Sequence, residues 1–334
     1  MGKAKHTVGE ITPFPANIKS MYLHQIIAAI AFGATALCAT AAPFAYASNE
    51  GSASVSVIDT AIDKVTVTSK LGQKPRGIAV SPDGARLYLS DQTAGALLIV
   101  DTARMAEIAR VPLGDSPEAI YVSSDGKWIA AAIEENDQVL IVDTAALKVV
   151  RSVKMRGKNP EHAVWSPDGK WLYVSAEEAD SVDIVDVAKG EVIKSVKVGD
   201  RPRGIGFLPD GTRAYVAAEN ADTISVIDVG KHEVIAKIKA GSRSNGVVVH
   251  PDGKHVFVSS GGEGAVQVID TATNAIIAKV AVGRRPWNMA LTPDGRNLYV
   301  ACGRSNTVAV VDTATYRKIG DIPVGELPWG VAIR

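Results

Sequence analysis

The chain has 334 residues, and its 36 basic residues are balanced by 36 acidic ones. A formal net charge of zero argues against a nucleic-acid-binding protein, and no acidic tail is present. Hydrophobic residues make up 46% of the sequence and aromatic residues only 5%, which indicates a core built mainly from Val, Ile and Ala.

The first 41 residues differ in composition from the rest of the chain. Lys3, Lys5 and Lys19 precede the apolar run IIAAIAFGATALCATA, which ends in Ala39-Thr40-Ala41. A basic region, an apolar run and a small-x-small pattern are typical of a secretory signal peptide. We therefore expect residues 1–41 to be removed, leaving a periplasmic domain of residues 42–334 without a membrane span.

An uncleaved membrane anchor is the alternative for this segment, and translation from Met21 would shorten it at the loss of all three lysines. Cleavage removes Cys38 and leaves Cys302 as the single cysteine. A single cysteine excludes an internal disulfide and a C-x-x-C-H haem site. We expect Cys302 to be a buried structural residue.

A sequence unit of about 42 residues is repeated along the remaining chain. A turn ending in Asp-Gly recurs at steps of 42 or 43 residues, with its aspartate at Asp83, Asp125, Asp168, Asp210, Asp252 and Asp294. A second aspartate follows an apolar run in every unit, at Asp59, Asp101, Asp143, Asp186, Asp228, Asp270 and Asp312. Residues that recur at one place in every unit serve the architecture of that unit.

Each unit contains four short apolar segments bounded by turn residues. In the first complete unit they are Gly77–Ser81, Arg86–Ser90, Ala96–Val100 and Glu107–Val111. Short Val- and Ile-rich segments between turns are predicted strands, and the first strand is apolar enough to be buried on both faces. Four strands per repeat of this length predict one blade of a β-propeller.

The two ends of the repeated region complement each other. The C-terminus supplies one first strand, Gly330–Arg334, and the N-terminus begins with a second strand, Phe44–Ser48. The sequence therefore predicts an all-β, seven-bladed propeller over residues 42–334, with four antiparallel strands per blade. The C-terminal strand would pair with the three N-terminal strands in one shared blade, which removes free sheet edges.

The repeat resembles the YVTN family, through Leu172-Tyr173-Val174-Ser175, Ala214-Tyr215-Val216-Ala217 and Leu298-Tyr299-Val300-Ala301. The opening AYASNEGSASVSVIDTAIDKV is most similar to one branch, the periplasmic propeller proteins associated with PQQ-dependent catabolism. The resemblance implies a role beside quinoprotein alcohol oxidation, with a quinoprotein dehydrogenase or another periplasmic protein as partner. It implies no catalytic residues.

Function is expected where the repeats differ, in the loop before each first strand. These loops should surround one mouth of the central channel, and varied loops on a rigid scaffold commonly bind ligands. The candidate binding residues are Arg76, Glu118, Glu161, His162, Arg203, Arg243, Asn245, Arg285, Trp287, Asn288 and Trp329.

The loops between the second and third strands should reach the same face, with Glu50, Gln92, Glu134, Glu177, Glu219, Gly261 and Gly303 at one aligned position. Together the loops predict an acidic half (Glu118, Glu134, Glu135, Glu161, Glu177 and Glu178) and a basic, aromatic half (Arg203, Arg243, Arg284, Arg285, Arg304, Trp287 and Trp329). Arginine pairs with carboxylates and tryptophan offers a stacking face, which suits a small planar anion such as PQQ. A protein partner would also suit Trp and Arg, and plain solvated loops are the simplest alternative.

The sequence favours a non-enzymatic, monomeric binding protein with no resident cofactor or metal. Catalytic PQQ enzymes use eight blades with Trp-rich motifs, which this chain lacks. The alternative is a propeller enzyme such as a lactonase-like hydrolase, with His162 and Glu161 as an acid/base pair. A surface-interaction module is a third possibility. The other histidines of residues 42–334, which are His232, His250 and His255, are expected to be solvated turn residues.

Overall fold

The repeated unit forms a four-stranded blade in the computed structural model of the protein, which describes residues 43–334. The predicted signal peptide, residues 1–41, lies outside the described residues.

Six blades follow one another along the chain. Their strands are β4 (Pro75–Val80), β5 (Arg86–Asp91), β6 (Ala96–Asp101) and β7 (Ala106–Pro112); β8 (Pro117–Val122), β9 (Trp128–Ile133), β10 (Gln138–Asp143) and β11 (Lys148–Lys154); β12 (Pro160–Trp165), β13 (Trp171–Ala176), β14 (Ser181–Asp186) and β15 (Glu191–Lys197); β16 (Pro202–Phe207), β17 (Arg213–Ala218), β18 (Thr223–Asp228) and β19 (Glu233–Lys239); β20 (Ser244–Val249), β21 (His255–Ser260), β22 (Ala265–Asp270) and β23 (Ala275–Ala281); and β24 (Pro286–Leu291), β25 (Asn297–Cys302), β26 (Thr307–Asp312) and β27 (Arg317–Pro323).

The seventh blade is shared by the two ends of the described chain, as predicted. It contains β28 (Pro328–Ile333) as its inner strand, followed by β1 (Phe44–Asn49), β2 (Ser54–Asp59) and β3 (Lys64–Lys70). Backbone hydrogen bonds join Phe44 N to Arg334 O at 3.1 Å and Arg334 N to Phe44 O at 3.2 Å.

Two short 3₁₀ helices, Glu134–Asn136 and Glu177–Ala179, are the only helices among residues 43–334, and neither is long enough to cross a membrane.

Burial changes from the inside of each blade to the outside. The second and third strands are almost completely buried, and the fourth strands are largely exposed. Each first strand packs against the first strands of the neighbouring blades, which closes a ring around the channel. The first strands differ from the prediction of complete burial: Ile78, Ala79 and Val80 are half-buried, because one side of the strand faces the channel.

The Asp-Gly turns have the predicted local chemistry. In the turn at Ser81, Gly84 takes a left-handed φ of 73° and donates its N–H to Ser81 O at 2.8 Å. Asp83 Oδ1 accepts the N–H of Ala85 at 3.0 Å. Because strands alternate in direction, these turns lie on the face opposite the loops that precede the first strands.

Cys302 is fully buried, as expected, and burial raises the pKa of its thiol to about 12.

Candidate functional site

A one-residue bulge at the start of every first strand places side chains at the channel mouth. In the first complete blade Pro75 pairs with Asp91 and Ile78 with Leu89, so Arg76 and Gly77 lie in a bulge. The same shift occurs in the other blades. A bulge bends the strand and redirects its side chains, which explains why the residue after the proline reaches the mouth.

These side chains line an open cavity of about 330 Å³, here called the mouth cavity. Eight of the eleven predicted residues line it: Arg76, Glu161, His162, Arg203, Asn245, Arg285, Trp287 and Trp329. Glu118 lies behind Arg76, with Oε1 at 2.5 Å from Arg76 Nη1. Asn288 lines a second cavity of about 160 Å³ deeper in the channel, which shares Trp329 with the first. Arg243 is exposed on the rim and lines neither cavity.

The arginines of the mouth are held by glutamates of their own and of other blades. Arg203 pairs with Glu161, with Glu177 at 2.7 Å and with Glu219 at 2.8 Å. Glu219 also accepts a hydrogen bond from Arg285 Nη2 at 2.7 Å, and Arg201 pairs with Glu177. The inner arginines are therefore not the free basic surface that the sequence suggested, because glutamates around the mouth neutralise them.

Carboxylates outnumber cations around the mouth cavity. The carboxylates are Glu50, Glu118, Glu134, Glu161, Glu177 and Glu219, and the cations are Lys74, Arg76, Arg201, Arg203 and Arg285. Burial raises the pKa of Glu118 and of Glu177. Burial acts in the same direction on Glu219, but Arg203 and Arg285 outweigh it and hold the pKa of that carboxyl below its ordinary value.

His162 is buried on the floor of the mouth cavity. Its Nδ1 lies 2.7 Å from the Tyr121 hydroxyl oxygen, and its ring stacks on Trp329 with centroids 6.3 Å apart and planes inclined at 20°. Burial lowers the pKa of His162 to about 4 and raises that of Tyr121. Glu161 and His162 both line the mouth cavity but do not contact each other as the suggested pair, because their partners among the described residues are Arg203 and Tyr121.

Two glycines make room for the aromatic and basic side chains of the mouth. A Cβ atom on Gly303 would overlap the Trp287 ring, and one on Gly261 would lie 3.2 Å from Arg285 Cδ. Arg285 in turn lies over Trp287, with Cζ 6.0 Å from the ring centroid. The two glycines occupy the aligned loop position at which the other blades carry glutamate or glutamine. Because glycine has no side chain, Trp287 and Arg285 can occupy the space above them.

The predicted acidic and basic halves are present on the exposed rim. Arg243, Arg284 and Arg304 are exposed on one side, and Glu135 and Glu178 are exposed on the other. None of the three rim arginines makes an ion pair with another residue of the range 43–334. The polarity predicted for the whole face is thus confined to its outer edge.

Tyr121, the partner of His162, is a residue of the site that the sequence interpretation missed. The aligned position in the other blades holds only small or β-branched residues: Ala79, Val164, Gly206, Val248, Ala290 and Ala332. A single tyrosine among them was the available signal.

The turn histidines also differ from the expectation: His232 Nδ1 lies 2.8 Å from the Tyr173 hydroxyl oxygen, and His250 and His255 both contact Asp252 rather than only solvent.

Comparison with known proteins supports the fold. The sequence profile of the YNCE-like beta-propeller family matches residues 97–254. None of the curated proteins compared with the chain matched it. Solved structures are similar over most of the chain. Hydrazine synthase from Kuenenia stuttgartiensis is 26% identical, with a TM-score of 0.74, and the match covers 80% of this chain and 92% of that one.

Two further structures are similar in fold. A functionally unknown protein from Desulfotomaculum acetoxidans is 17% identical, with a TM-score of 0.77 and coverage of 87% of this chain and 98% of that one. A proposed 6-phosphogluconolactonase from Bacteroides uniformis is 19% identical, with a TM-score of 0.75 and coverage of 88% and 100%. The chain is a seven-bladed β-propeller that resembles the YNCE-like beta-propellers over residues 97–254.

Proposed function

We propose that this protein is a non-enzymatic binding protein that holds a small, planar, polar ligand in the mouth cavity. The observation that carries the proposal is a set of polar side chains that line the cavity: Asn245, Trp287 and Trp329, together with His162, whose Nδ1 contacts Tyr121. Within residues 43–334, one buried carboxylate oxygen of this cavity, Glu161 Oε2, has no hydrogen-bond partner. Convergent polar groups in a concave site fix the orientation of a ligand.

The charges of the cavity favour a neutral or cationic ligand over a polyanion. The four arginines already pair with glutamates, and carboxylates outnumber cations. A planar tricarboxylate such as PQQ would have to displace glutamates from buried ion pairs, which leaves buried charge without a partner. The residues present therefore fit PQQ poorly. The association with PQQ-dependent oxidation and the periplasmic location rest on the resemblance and the N-terminal sequence, and stay predictions.

A titration with three planar probes of different charge tests this proposal. Lumichrome (neutral), thiamine (cationic) and PQQ (anionic) would be added to the protein while tryptophan fluorescence is recorded. We expect saturable quenching by lumichrome or thiamine, at least tenfold weaker binding after Asn245→Ala, and loss of the signal in a Trp287→Phe/Trp329→Phe variant. Binding of PQQ alone would contradict the charge argument. Absence of saturation with all three, and with a library of polar heteroaromatic metabolites in a thermal-shift screen, would overturn small-ligand binding at the mouth.

A lactonase-like enzyme is the competing function, and the fold of the proposed 6-phosphogluconolactonase is its support. A histidine with a pKa near 4 is a weak base at neutral pH, and Glu161 is held by Arg203. We expect no lactone hydrolysis above background. Turnover of 6-phosphogluconolactone that is lost in His162→Asn, with the fold retained, would replace the binding proposal by the enzymatic one.

Docking of a protein partner is a second candidate, and the polarised rim favours it. Oppositely charged edges orient a partner and raise its association rate. An Arg243→Glu/Arg284→Glu/Arg304→Glu variant should then bind a quinoprotein dehydrogenase at least tenfold more weakly than the wild type. Equal binding by both proteins, or none by either at low salt, would remove this candidate.

A further inference from the structure

One turn on the face opposite the mouth carries a cluster of metal-ligating side chains. The turn between β20 and β21 reads His250-Pro251-Asp252-Gly253-Lys254-His255. One ligand atom from each of His250, Asp252 and His255 lies within 4.8 Å of the other two. No other group of three such residues is this close within the described range 43–334.

The repeats show that this turn does not need these histidines for its fold. The position of His250 is occupied in other blades by Ser81, Ser123, Ser166, Leu208 and Thr292, and that of His255 by Arg86, Trp128, Trp171, Arg213 and Asn297. In the copy at Ser81 the hydroxyl donates to Asp83 Oδ1 at 2.5 Å and accepts the N–H of Arg86 at 2.9 Å. The fold therefore has a simpler solution for the turn, and the two histidines require another explanation.

The contacts of His250 direct its lone pair toward Asp252. Nε2 lies 3.1 Å from the carbonyl oxygen of Gly295, which can only accept, so Nε2 carries the proton. Nδ1 then presents a lone pair, and it lies 2.9 Å from Asp252 Oδ1 and 3.2 Å from Asp252 N. A backbone carbonyl that accepts from the second nitrogen is the usual support of a metal-bound histidine. A cation beside Nδ1 would take the lone pair that now accepts the long hydrogen bond from Asp252 N.

The remaining geometry suits an open surface site. Asp252 Oδ2 lies 3.2 Å from His255 Nδ1, so one carboxylate connects both imidazoles. The three side chains are 19%, 33% and 25% exposed, which leaves space for water on the outer side of an ion. Ligands of a tetrahedral zinc lie about 3.4 Å apart, because its bonds are about 2.0–2.1 Å long. Small side-chain rotations would bring the set to that spacing.

From this cluster we propose that His250, Asp252 and His255 bind one divalent transition-metal ion, with water in the remaining position. Two imidazoles and one carboxylate are borderline ligands that select Zn²⁺, Co²⁺, Ni²⁺ or Cu²⁺ over Mg²⁺ and Ca²⁺. The site is independent of the mouth cavity, because it lies on the opposite face. It belongs to one blade, whose turn it would fix against the Gly295 turn of the next blade.

Calorimetric titration of the untagged protein with Zn²⁺ tests the proposal, with Mg²⁺ as the hard-cation comparison. We expect one Zn²⁺ per chain and no Mg²⁺ binding. Absorption of the Co²⁺ form in the visible region gives a second readout of imidazole and carboxylate coordination. His250→Ser and His255→Asn use residues that aligned turns already contain, so both variants should fold, and each should weaken Zn²⁺ binding at least tenfold.

The matched control is His232→Asn, which removes a histidine of the same face outside the cluster. Asn274 holds the aligned position in the next blade and accepts a hydrogen bond from Tyr215 at 3.0 Å, so this variant keeps the local contact. Zn²⁺ affinity should change less than twofold. Unsaturable Zn²⁺ binding by the wild type, or unchanged affinity in both His250→Ser and His255→Asn, would overturn the proposal.

Discussion

At the scale of single residues, His162 is the clearest departure from the repeat. Six blades carry Gly, Ala or Asn at this place, as Gly77, Ala119, Gly204, Gly246, Asn288 and Gly330. Gly77, Gly204 and Gly246 permit close approach of the neighbouring first strand, since an added Cβ atom would lie 2.5–2.6 Å from its backbone. An imidazole at the same place is only 1% exposed. Burial keeps it neutral, so the protonation of His162 is coupled to the stability of the fold.

The stability of the protein should therefore contain a pH-dependent contribution from His162. The pKa of this group falls from its ordinary 6.5 to about 4 in the folded state, because burial disfavours the imidazolium. Below pH 6.5 the unfolded chain binds a proton that the folded protein excludes, so the contribution is present above this pH and is lost as the pH falls toward 4. Linkage gives a loss of about 2 kcal/mol between pH 7 and pH 5.

Chemical denaturation of the wild type and of His162→Asn at these two pH values measures that contribution. Asn288 occupies the aligned position in another blade, so asparagine is compatible with the first strand. The variant should lose about 2 kcal/mol less than the wild type between pH 7 and pH 5. Equal losses in the two proteins would show that His162 is not buried in its neutral form.

Gly303 should control the position of Trp287. An added methyl group would overlap the indole ring, and overpacking of this kind costs about 1–3 kcal/mol. Gly303→Ala should lower the free energy of unfolding by that amount and shift the tryptophan emission. Gly320→Ala is the control, because the nearest atom to its new Cβ would be 4.0 Å away. Unchanged emission and stability in Gly303→Ala would mean that Trp287 points elsewhere.

Most residues of the mouth could be predicted from the sequence, but their partners could not. Positions such as Arg203 and Trp287 were identified because they vary within an otherwise constant loop. The ion pair of Arg203 with Glu161 joins neighbouring blades at a separation of 42 residues, and Glu177 and Glu219 reach Arg203 from two different loops. A repeat pattern shows that these groups share a face, but not which side chains touch, since that depends on rotamers.

At the scale of elements, the strand pattern was predictable to within one or two residues. The predicted segment Gly77–Ser81 corresponds to β4 (Pro75–Val80), and Ala96–Val100 to β6 (Ala96–Asp101). The bulge that follows the proline was not predicted, because nothing in the local sequence separates a bulged strand from a loop that ends two residues later. Because of this bulge, the first strand begins two residues before the predicted start, and the bulged residues supply side chains of the candidate site.

Serines of the second strands join neighbouring blades. Ser90 Oγ donates to Glu118 O of the next blade at 2.5 Å and accepts the N–H of Gly77 at 2.8 Å. Ser48 and Ser259 make the same two contacts in their blades. The hydroxyl of such a serine hydrogen-bonds to one backbone N–H and one backbone carbonyl. These groups lie where the first strands of two blades pack together, although the strands belong to different sheets.

Ser90→Ala should destabilise the protein, because it leaves two buried backbone groups without their partner. The expected loss is about 1–3 kcal/mol in the free energy of unfolding. Ser152→Ala is the control: its hydroxyl donates to Gln138 Oε1 in an exposed position, and an exposed substitution should stay within about 0.5 kcal/mol. Denaturant titration compares the two. A loss in Ser90→Ala no larger than in the control would mean that water replaces the bridging hydroxyl.

At the scale of the whole molecule, stability depends on closing the ring. Each blade covers both of its faces with neighbours, and the last contact is made when β28 pairs with β1. Their register runs from Ala45 opposite Ile333 to Asn49 opposite Pro328. The same strand packs between β24 and β4, so it completes both a sheet and the wall of the channel.

Deletion of residues 328–334 should abolish cooperative folding. It removes the inner strand of the shared blade, leaves β1 as an unpaired edge and exposes Ala45 and Ala47, which are fully buried. The loss should consume most of a net stability of about 5–15 kcal/mol. Open edges also pair with other chains, so size-exclusion chromatography should show aggregates and the thermal transition should be broad.

Deletion of Arg334 alone is the matched comparison, because this residue is exposed and contributes only its two backbone hydrogen bonds with Phe44. Its melting temperature should stay within a few degrees of the wild type. A peptide of residues 324–334, added to the longer deletion, should restore a cooperative transition by filling the vacant strand position in the sheet. If the longer deletion melted cooperatively at the wild-type temperature without the peptide, six complete blades would be able to close the ring against three strands, and the shared blade would serve to position Trp329 at the mouth rather than to hold the fold together.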